Sequence, residues 1–217
     1  FKQKTAYEIR LSLVGSEMCI RDRFYPEGTF ISGGLSKWCG AGGWRVGFFA
    51  VPKKLSSFLN TIVTLASESY STVNTPAQYA AVQAYEGDFT EYKRKTLNIL
   101  QSVGNYVYKN LKSNKVLINQ PQGAFYLMPE FLNSKFKTSS EMCDDILSKS
   151  GVALLPGSDF GFKNDKMLTR LSFTDFDGDL FLKNIGGSKE LDDDMIKKYA
   201  PNVVEGTKKL AEWHKNL

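Results

Sequence analysis

The sequence has one histidine, few cysteines and no long apolar run. The histidine, His214, lies near the carboxyl end. Metal sites built on paired histidines, and Ser-His-Asp or Cys-His hydrolytic arrangements, each need a histidine inside a cleft, so those reaction classes are largely excluded. No apolar segment approaches the roughly 20 residues needed to span a bilayer, so a transmembrane interpretation fails.

Cysteine usage also excludes a disulfide scaffold. Cys19, Cys39 and Cys143 are odd in number and far apart, so no disulfide framework is implied. A reduced, intracellular environment is therefore expected, and the cytoplasm is the default compartment. Organelle targeting cannot be read, because we expect the native amino terminus to be missing from this sequence.

The sequence lacks a strong charge of either sign. The formal net charge of +5 is mild, and the lysines are scattered instead of clustering with aromatic residues on one element. A nucleic-acid-binding stripe would show such clustering. We therefore expect neither a nucleic acid nor a membrane as a partner.

The first 23 residues differ in character from the rest. Residues 1–23 show neither a helical apolar stripe nor a strand alternation, and they lack the layout of a signal peptide. The stretch 13–23 resembles translated sequencing-adapter read-through. We expect residues 1–23 to be a non-native, unassigned segment.

From Phe24 onward, strand and helix patterns are mixed, which predicts an α/β or α+β fold. Strands are expected at 29–31, 48–51, 116–118, 124–128, 152–155 and 168–173. Helices are expected at about 55–65, from Asn74-Thr75-Pro76 through Ala84, and at 88–111, 139–148 and 201–217.

The glycine-rich stretch 33–47 carries the most informative pattern. Lys37 follows a predicted strand and lies among glycines, which allow the backbone to approach a ligand closely, and Arg45 follows eight residues later. An amine that can form an imine, placed near a fixed cation, suits a carbonyl cofactor that carries a phosphate. On spacing alone, a flexible surface loop with incidental charges is the more frequent interpretation.

A family resemblance changes that balance. Ser36-Lys37, five intervening residues and then Gly43-Trp44-Arg45-x-Gly47 resemble the cofactor-lysine signature of the class I and II aminotransferases, which are fold-type I pyridoxal-phosphate enzymes. The resemblance implies that Lys37 binds pyridoxal 5'-phosphate covalently, that Arg45 binds its phosphate, and that Ser36 belongs to the cofactor site. Many members have a phosphate-binding serine where this sequence has Gly34.

Three further motifs follow in the order found in that family. Residues 122–126 resemble its Gly-x-Phe/Tyr strand, and residues 155–161 resemble its Pro-Gly-x-x-Phe-Gly turn. Residues 168–173 resemble the strand whose arginine binds the substrate α-carboxylate, which assigns that role to Arg170. We expect the aromatic side chains of these motifs to form core or pocket wall: Phe125, Tyr126 and Phe160.

The resemblance covers about residues 24–217 and only the carboxyl-terminal half of the family. It implies an α/β fold in which residues 24–90 end the large cofactor-binding domain and residues 91–217 form the small α+β domain. It also implies transamination between an amino acid, aspartate-like or aromatic, and a 2-oxo acid, with no metal. A homodimer is expected for the full-length protein.

Two other functions stay open from the sequence. Carbon–sulfur lyases and cyclopropane-forming synthases share the fold, the lysine and the carboxylate-binding arginine. The second open function is that of a non-catalytic fragment that serves as a binding or regulatory module. The absent half of the family carries the aspartate that pairs with the cofactor's ring nitrogen, so we expect transamination by this chain alone to be impaired.

Overall fold

The computed structural model describes residues 24–70, 72–132, 134–186 and 191–217. The chain divides into two compact units, the first ending at Phe89 and the second running from Thr90 to Leu217. The expected non-native segment, residues 1–23, lies outside the described residues. Within the described ranges, no helix is both long enough and apolar enough to cross a membrane.

The first unit is a hairpin followed by two helices. Strand β1 (Ile31–Gly34) pairs antiparallel with β2 (Gly47–Ala50), and helices α1 (Ser56–Ser69) and α2 (Thr75–Glu86) follow. Helix α2 begins as predicted, because the Asn74 side chain accepts a hydrogen bond from the Ala77 N–H at 3.0 Å. The first strand begins two residues later than predicted.

The small core of the first unit joins the hairpin connection to α2. Leu35, Ala41 and Ala81 are its buried residues, with half-buried neighbours around them: Trp38, Cys39, Val46, Ala84 and Tyr85. Helix α1 forms where its apolar spacing predicted, yet the structure buries none of its residues. Phe58 and Leu65, from the predicted apolar stripe, are 45% and 65% exposed.

The second unit contains small antiparallel sheets among helices. The elements of this unit, in chain order, are α3 (Thr90–Leu111), β3 (Val116–Leu117), β4 (Tyr126–Leu127), β5 (Glu130–Phe131), α4 (Ser139–Ser150), β6 (Leu155–Pro156), β7 (Thr169–Ser172), α5 (Gly178–Asn184), α6 (Asp193–Tyr199) and α7 (Pro201–Lys215). One sheet has the strand order β4-β7-β6, and β3 pairs with β5.

The core of the second unit follows from helical periodicity. The buried residues of α3 include a row at four-residue intervals: Ile99, Val103, Val107 and Leu111. Helix α7 contributes Val203, Leu210 and Trp213 to the same core. Helix α4 starts where Thr138 accepts a hydrogen bond from the Glu141 N–H at 3.2 Å, while the Glu141 carboxylate accepts one from the Lys137 N–H.

Some predicted strands are shorter in the structure, and some elements were not predicted. Of the predicted strand 152–155, only Leu155 pairs with β7, and the paired segment continues to Pro156. Helices α5 and α6 were missed, although Asp177 and Asp192 cap their first turns by accepting backbone N–H bonds. Each of these helices is seven residues long, too short for a clear apolar stripe.

The single histidine is a core residue. His214 is 8% exposed in the last turn of α7 and packs against Phe131, with 5.3 Å between ring centroids. Burial lowers the pKa of His214 from 6.5, a hydrogen bond with the Leu132 backbone opposes this shift, and Lys115 adds to it. His214 is therefore part of the packing of the second unit.

We expect His214 to link stability to pH. Because its folded pKa lies below the unfolded value of 6.5, its contribution to stability is complete above pH 6.5 and is lost as the pH falls through the folded pKa. An NMR titration of the one histidine should give a midpoint below 6.5, and the thermal unfolding midpoint of His214→Gln should fall less on acidification than that of the wild type. A midpoint at or above 6.5 would contradict this account.

Candidate active site

The connection between β1 and β2 carries Ser36, Lys37 and Arg45. The hairpin register aligns Gly34 with Gly47 where the strands end, so both ends of the connection are held together. A Cβ at position 47 would lie 2.9 Å from the Gly33 carbonyl oxygen, which leaves no room for a side chain there. Glycine at this position therefore lets the two strands close immediately beside Arg45.

Gly34 is where this sequence departs from the serine of many family members. A Cβ built at Gly34 would lie 3.1 Å from the Val46 carbonyl oxygen, closer than a comfortable contact. The Val46 backbone would have to move by a few tenths of an ångström to admit a side chain. Glycine at position 34 thus allows the close backbone pairing of this hairpin, and the sequence has no serine hydroxyl there.

Lys37 lies in a turn that is anchored on both sides. Leu35 is fully buried, and its carbonyl oxygen accepts a hydrogen bond from the Ala41 N–H at 3.1 Å. Within the turn, the Gly40 N–H donates to the Lys37 carbonyl oxygen at 3.4 Å. The side chain of Lys37 is exposed and that of Ser36 is half-buried, so the anchored turn presents the lysine amine outward.

Arg45 adopts a backbone conformation that is unusual for its residue type. Its φ of 54° and ψ of 39° place it in the left-handed region, directly after the 3-10 turn Gly42–Trp44. For a residue with a Cβ, this conformation costs about 1–2 kcal/mol. Strain of this kind is found where the surrounding structure holds a side chain in place for function.

Arg45 lies on the wall of a cleft of about 860 Å³ in the first unit. Its Nη1 donates to the Gly42 carbonyl oxygen at 3.0 Å. Other polar and aromatic side chains of the cleft include Trp44, Tyr70, Thr72 and Asn74. Ser36 and Lys37 share the hairpin connection with Arg45 but do not line this cleft.

Arg170 lies in the second unit, on the central strand of the β4-β7-β6 sheet. Its guanidinium carbon is 4.5 Å from the ring centroid of Tyr126 and 4.4 Å from that of Phe160. The side chain is half-buried, and among the described residues it makes no hydrogen bond or ion pair. Its five N–H donors are therefore available to an anion.

The Pro-Gly turn brings Phe160 to Arg170. The Gly157 N–H donates to the Leu168 carbonyl oxygen at 2.7 Å, and a Cβ at Gly157 would lie 2.9 Å from that oxygen. Glycine is needed for this close approach, after which the 3-10 turn Gly157–Phe160 carries the aromatic ring back toward β7. The close contact at Gly157 and the ring contact of Phe160 explain structurally why the Pro-Gly-x-x-Phe-Gly motif has a glycine and a phenylalanine at these positions.

The structure thus places the predicted site residues in two groups. Ser36, Lys37 and Arg45 share one connection of the first unit, and Arg170 lies in the second. Tyr126 and Phe160 were expected to form core or pocket wall, and sequence reasoning did not predict that both of their rings contact Arg170. Within the described ranges, no group of three or more His, Cys, Asp or Glu side chains could hold a metal ion.

Ala124, two residues before Tyr126, has an unfavourable backbone conformation. Its φ of 57° is positive, and its small side chain is exposed. We expect Ala124→Gly to stabilise the chain by about 0.5–1 kcal/mol, because relief of the left-handed strain exceeds the extra entropy of glycine in the unfolded state. The measurement is the thermal unfolding midpoint.

The matched control for Ala124→Gly is Ala153→Gly, at another exposed alanine outside regular structure whose φ is not positive. Glycine there should destabilise the chain, because it adds only unfolded-state entropy. Equal shifts of the unfolding midpoint for both variants would contradict the strain assigned to Ala124.

Comparison with known proteins gives consistent matches. The family model described as Aminotransferase class I and II matches residues 4–178, a range that begins inside the undescribed segment. The chain is 35% identical over 140 residues to an aspartate aminotransferase of Bacillus sp. (strain YM-2), covering 61% of this chain and 34% of that protein. It is 32% identical over 157 residues to a probable N-acetyl-LL-diaminopimelate aminotransferase of Bacillus subtilis, covering 69% and 37%.

Solved structures match over more of the chain. An alanine aminotransferase from Pyrococcus furiosus superimposes with a TM-score of 0.65 at 25% identity, covering 87% of this chain and 42% of that one. An aspartate aminotransferase from Thermotoga maritima gives a TM-score of 0.60 at 25% identity, covering 86% and 40%. The chain therefore spans about a third of the length of the curated relatives and about two fifths of the solved ones.

Proposed function

The chain belongs to the class I and II aminotransferases, and from this membership we propose that its parent protein transfers an amino group between an amino acid and a 2-oxo acid. Its fold is that of the fold-type I enzymes. The observation that carries the proposal is the hairpin connection, where one anchored segment presents both a lysine amine and an arginine guanidinium. Aspartate-like or aromatic amino acids are the proposed substrates.

The residues of this connection fit the cofactor of the family, pyridoxal 5'-phosphate. Lys37 offers a primary amine to an aldehyde, and Arg45 offers guanidinium donors to a phosphate. One Arg45 nitrogen is used by the Gly42 carbonyl oxygen, which orients the group and leaves further N–H donors. When bound, the cofactor supplies the electron sink for the reaction at the substrate Cα.

Each residue then has a defined task. Lys37 would hold the cofactor through its Nζ, and its amine would carry the proton that leaves the substrate Cα. Arg45 holds the phosphate. Arg170 binds the α-carboxylate through two parallel charged hydrogen bonds, each contributing about 1.5–3 kcal/mol. A lysine at position 170 could not reproduce this planar geometry.

The remaining parts of the site are proposed to come from outside this chain. The chain spans about two fifths of the solved relatives, and the resemblance assigns the ring-stacking residue and the acid at the ring nitrogen to the other part of such proteins. We propose a homodimer for the parent protein. Transamination by this chain alone is proposed to be impaired for the same reason.

The test of Lys37 is spectroscopic. We expect the purified chain mixed with pyridoxal 5'-phosphate to show a protein-bound absorbance band at about 420 nm. Lys37→Ala should abolish this band, because no other amine lies in the anchored turn. Lys53→Ala is the matched control, since Lys53 is an exposed lysine in the turn after β2. A band that survives in Lys37→Ala would show that another lysine binds the cofactor.

Arg45 should show opposite effects on stability and affinity. Arg45→Gly relieves the left-handed strain, so we expect the thermal unfolding midpoint to rise by the equivalent of about 0.5–1 kcal/mol. It also removes charged hydrogen bonds to the phosphate, so the affinity for pyridoxal 5'-phosphate, titrated by the same absorbance band, should fall roughly 10- to 100-fold.

The control for Arg45→Gly is Lys54→Gly, where the replaced cation is exposed and φ is not positive. This variant should lose a little stability and keep the wild-type affinity. If Arg45→Gly bound the cofactor as tightly as the wild type, Arg45 would not be the phosphate ligand.

A further inference from the structure

Arg170 is a half-buried cation without a polar partner among the described residues. A buried or half-buried charge normally has a hydrogen-bond or ion-pair partner, since desolvation of an unpaired charge is costly. The contacts that the structure does provide are to two aromatic rings, those of Tyr126 and Phe160. The rings compensate for part of the lost hydration without using any N–H donor.

The sheet register places the Tyr126 ring. Strands β4 and β7 pair antiparallel with Tyr126 opposite Ser172 and Leu127 opposite Leu171, so Arg170 and Tyr126 are diagonal neighbours on one face of the sheet. Diagonal neighbours are within reach when one of them is aromatic. The ring of Phe125 packs against that of Tyr126, with 4.4 Å between centroids.

Strand β6, which pairs with β7 on the side opposite β4, is followed by the turn that carries the second ring, that of Phe160. Leu155 of β6 pairs with Arg170, and the chain then passes through the Pro-Gly contact into the 3-10 turn that ends at Phe160. The guanidinium therefore contacts one ring from the adjacent strand β4 and one ring from the turn that follows the other adjacent strand, β6. A guanidinium group that stacks on an aromatic ring through its planar face keeps its in-plane N–H donors accessible.

From this geometry we propose that Tyr126 and Phe160 are positioning residues for Arg170. The two rings, here called the aromatic clamp, hold the guanidinium plane so that only its N–H edge meets an incoming carboxylate. The inference rests on the proposed carboxylate-binding role of Arg170 and goes beyond it, because it assigns the affinity partly to side chains that do not touch the substrate.

Preorganisation is the physical reason that the aromatic clamp affects binding. An unrestrained arginine side chain loses rotamer freedom when its two parallel hydrogen bonds form, and that loss reduces the affinity. A guanidinium already held by two rings loses less on binding. Removing either ring should therefore weaken carboxylate binding while the charge and the donors of Arg170 remain.

The experiment uses NMR on the chain with ¹⁵N-labelled arginine, titrated with sodium pyruvate as a simple 2-oxo acid. Arg170→Lys identifies the Arg170 Nε–H signal by its disappearance. In the wild type we expect ring currents to shift this signal upfield of the other arginine signals. Phe160→Leu and Tyr126→Leu should each remove part of that shift and weaken pyruvate binding roughly fivefold.

Three control variants separate the aromatic clamp from general effects on the fold. Tyr126→Phe and Phe160→Tyr keep a ring in place and should retain both the shift and the affinity. Phe162→Leu makes the same change as Phe160→Leu two residues away, at a ring that packs with Lys166 instead of Arg170. It should also leave Arg170 unchanged.

The outcomes distinguish the inference from the function on which it rests. If pyruvate binds through Arg170 but the leucine variants keep the wild-type affinity and shift, the aromatic clamp is refuted and the carboxylate role stands. If the wild type binds no pyruvate, or Arg170→Lys binds it equally well, the carboxylate role fails and the inference falls with it.

Discussion

At two places in the chain, a close contact between backbone segments helps to set the position of an arginine, Arg45 or Arg170. At Gly47 the second hairpin strand passes so near Gly33 that a Cβ would lie 2.9 Å from its carbonyl oxygen, and Arg45 stands two residues before this contact. At Gly157 a Cβ would lie equally close to the Leu168 carbonyl oxygen, two residues before Arg170. In both places glycine makes the close contact possible. The contact at Gly47 closes the connection that carries Arg45, and the contact at Gly157 brings a turn against the strand that carries Arg170.

The two arginines are held by different physical means. The backbone of Arg45 is strained, with a positive φ and a guanidinium hydrogen-bonded to the carbonyl oxygen of its own turn. Arg170 has ordinary strand geometry, and its side chain is flanked by two rings. Backbone strain and ring contacts both leave N–H donors available, which suits groups that bind anions.

Much of the fold and of the candidate site was predictable from the sequence. The long helix Thr90–Leu111 was expected at 88–111, because its apolar residues recur at helical spacing. The signature around Lys37 and Arg45 predicted the family and the fold type, and the family match confirms both. The roles of Ser36, Lys37, Arg45 and Arg170 stay proposals drawn from the order of those motifs.

Other features could not be predicted, because they depend on residues far apart in the chain. The contact of Arg170 with Tyr126 requires the register of β4 on β7, and the contact with Phe160 requires the turn after β6. The apolar stripe of α1 predicted a helix but did not reveal that its own unit leaves Phe58 and Leu65 exposed. Periodicity reports which residues share a face, and not what covers that face.

The sequence by itself determined the residue types, their spacing and the local elements: a lysine and an arginine in one glycine-rich connection, and an arginine on a later strand. These depend on side-chain chemistry and on interactions between near neighbours in the chain. Only the tertiary structure decided that Arg45 is strained, that Lys37 is exposed beside a buried anchor, and that two rings flank Arg170. Those features arise from strand register and close backbone contact, which join residues that no spacing rule connects.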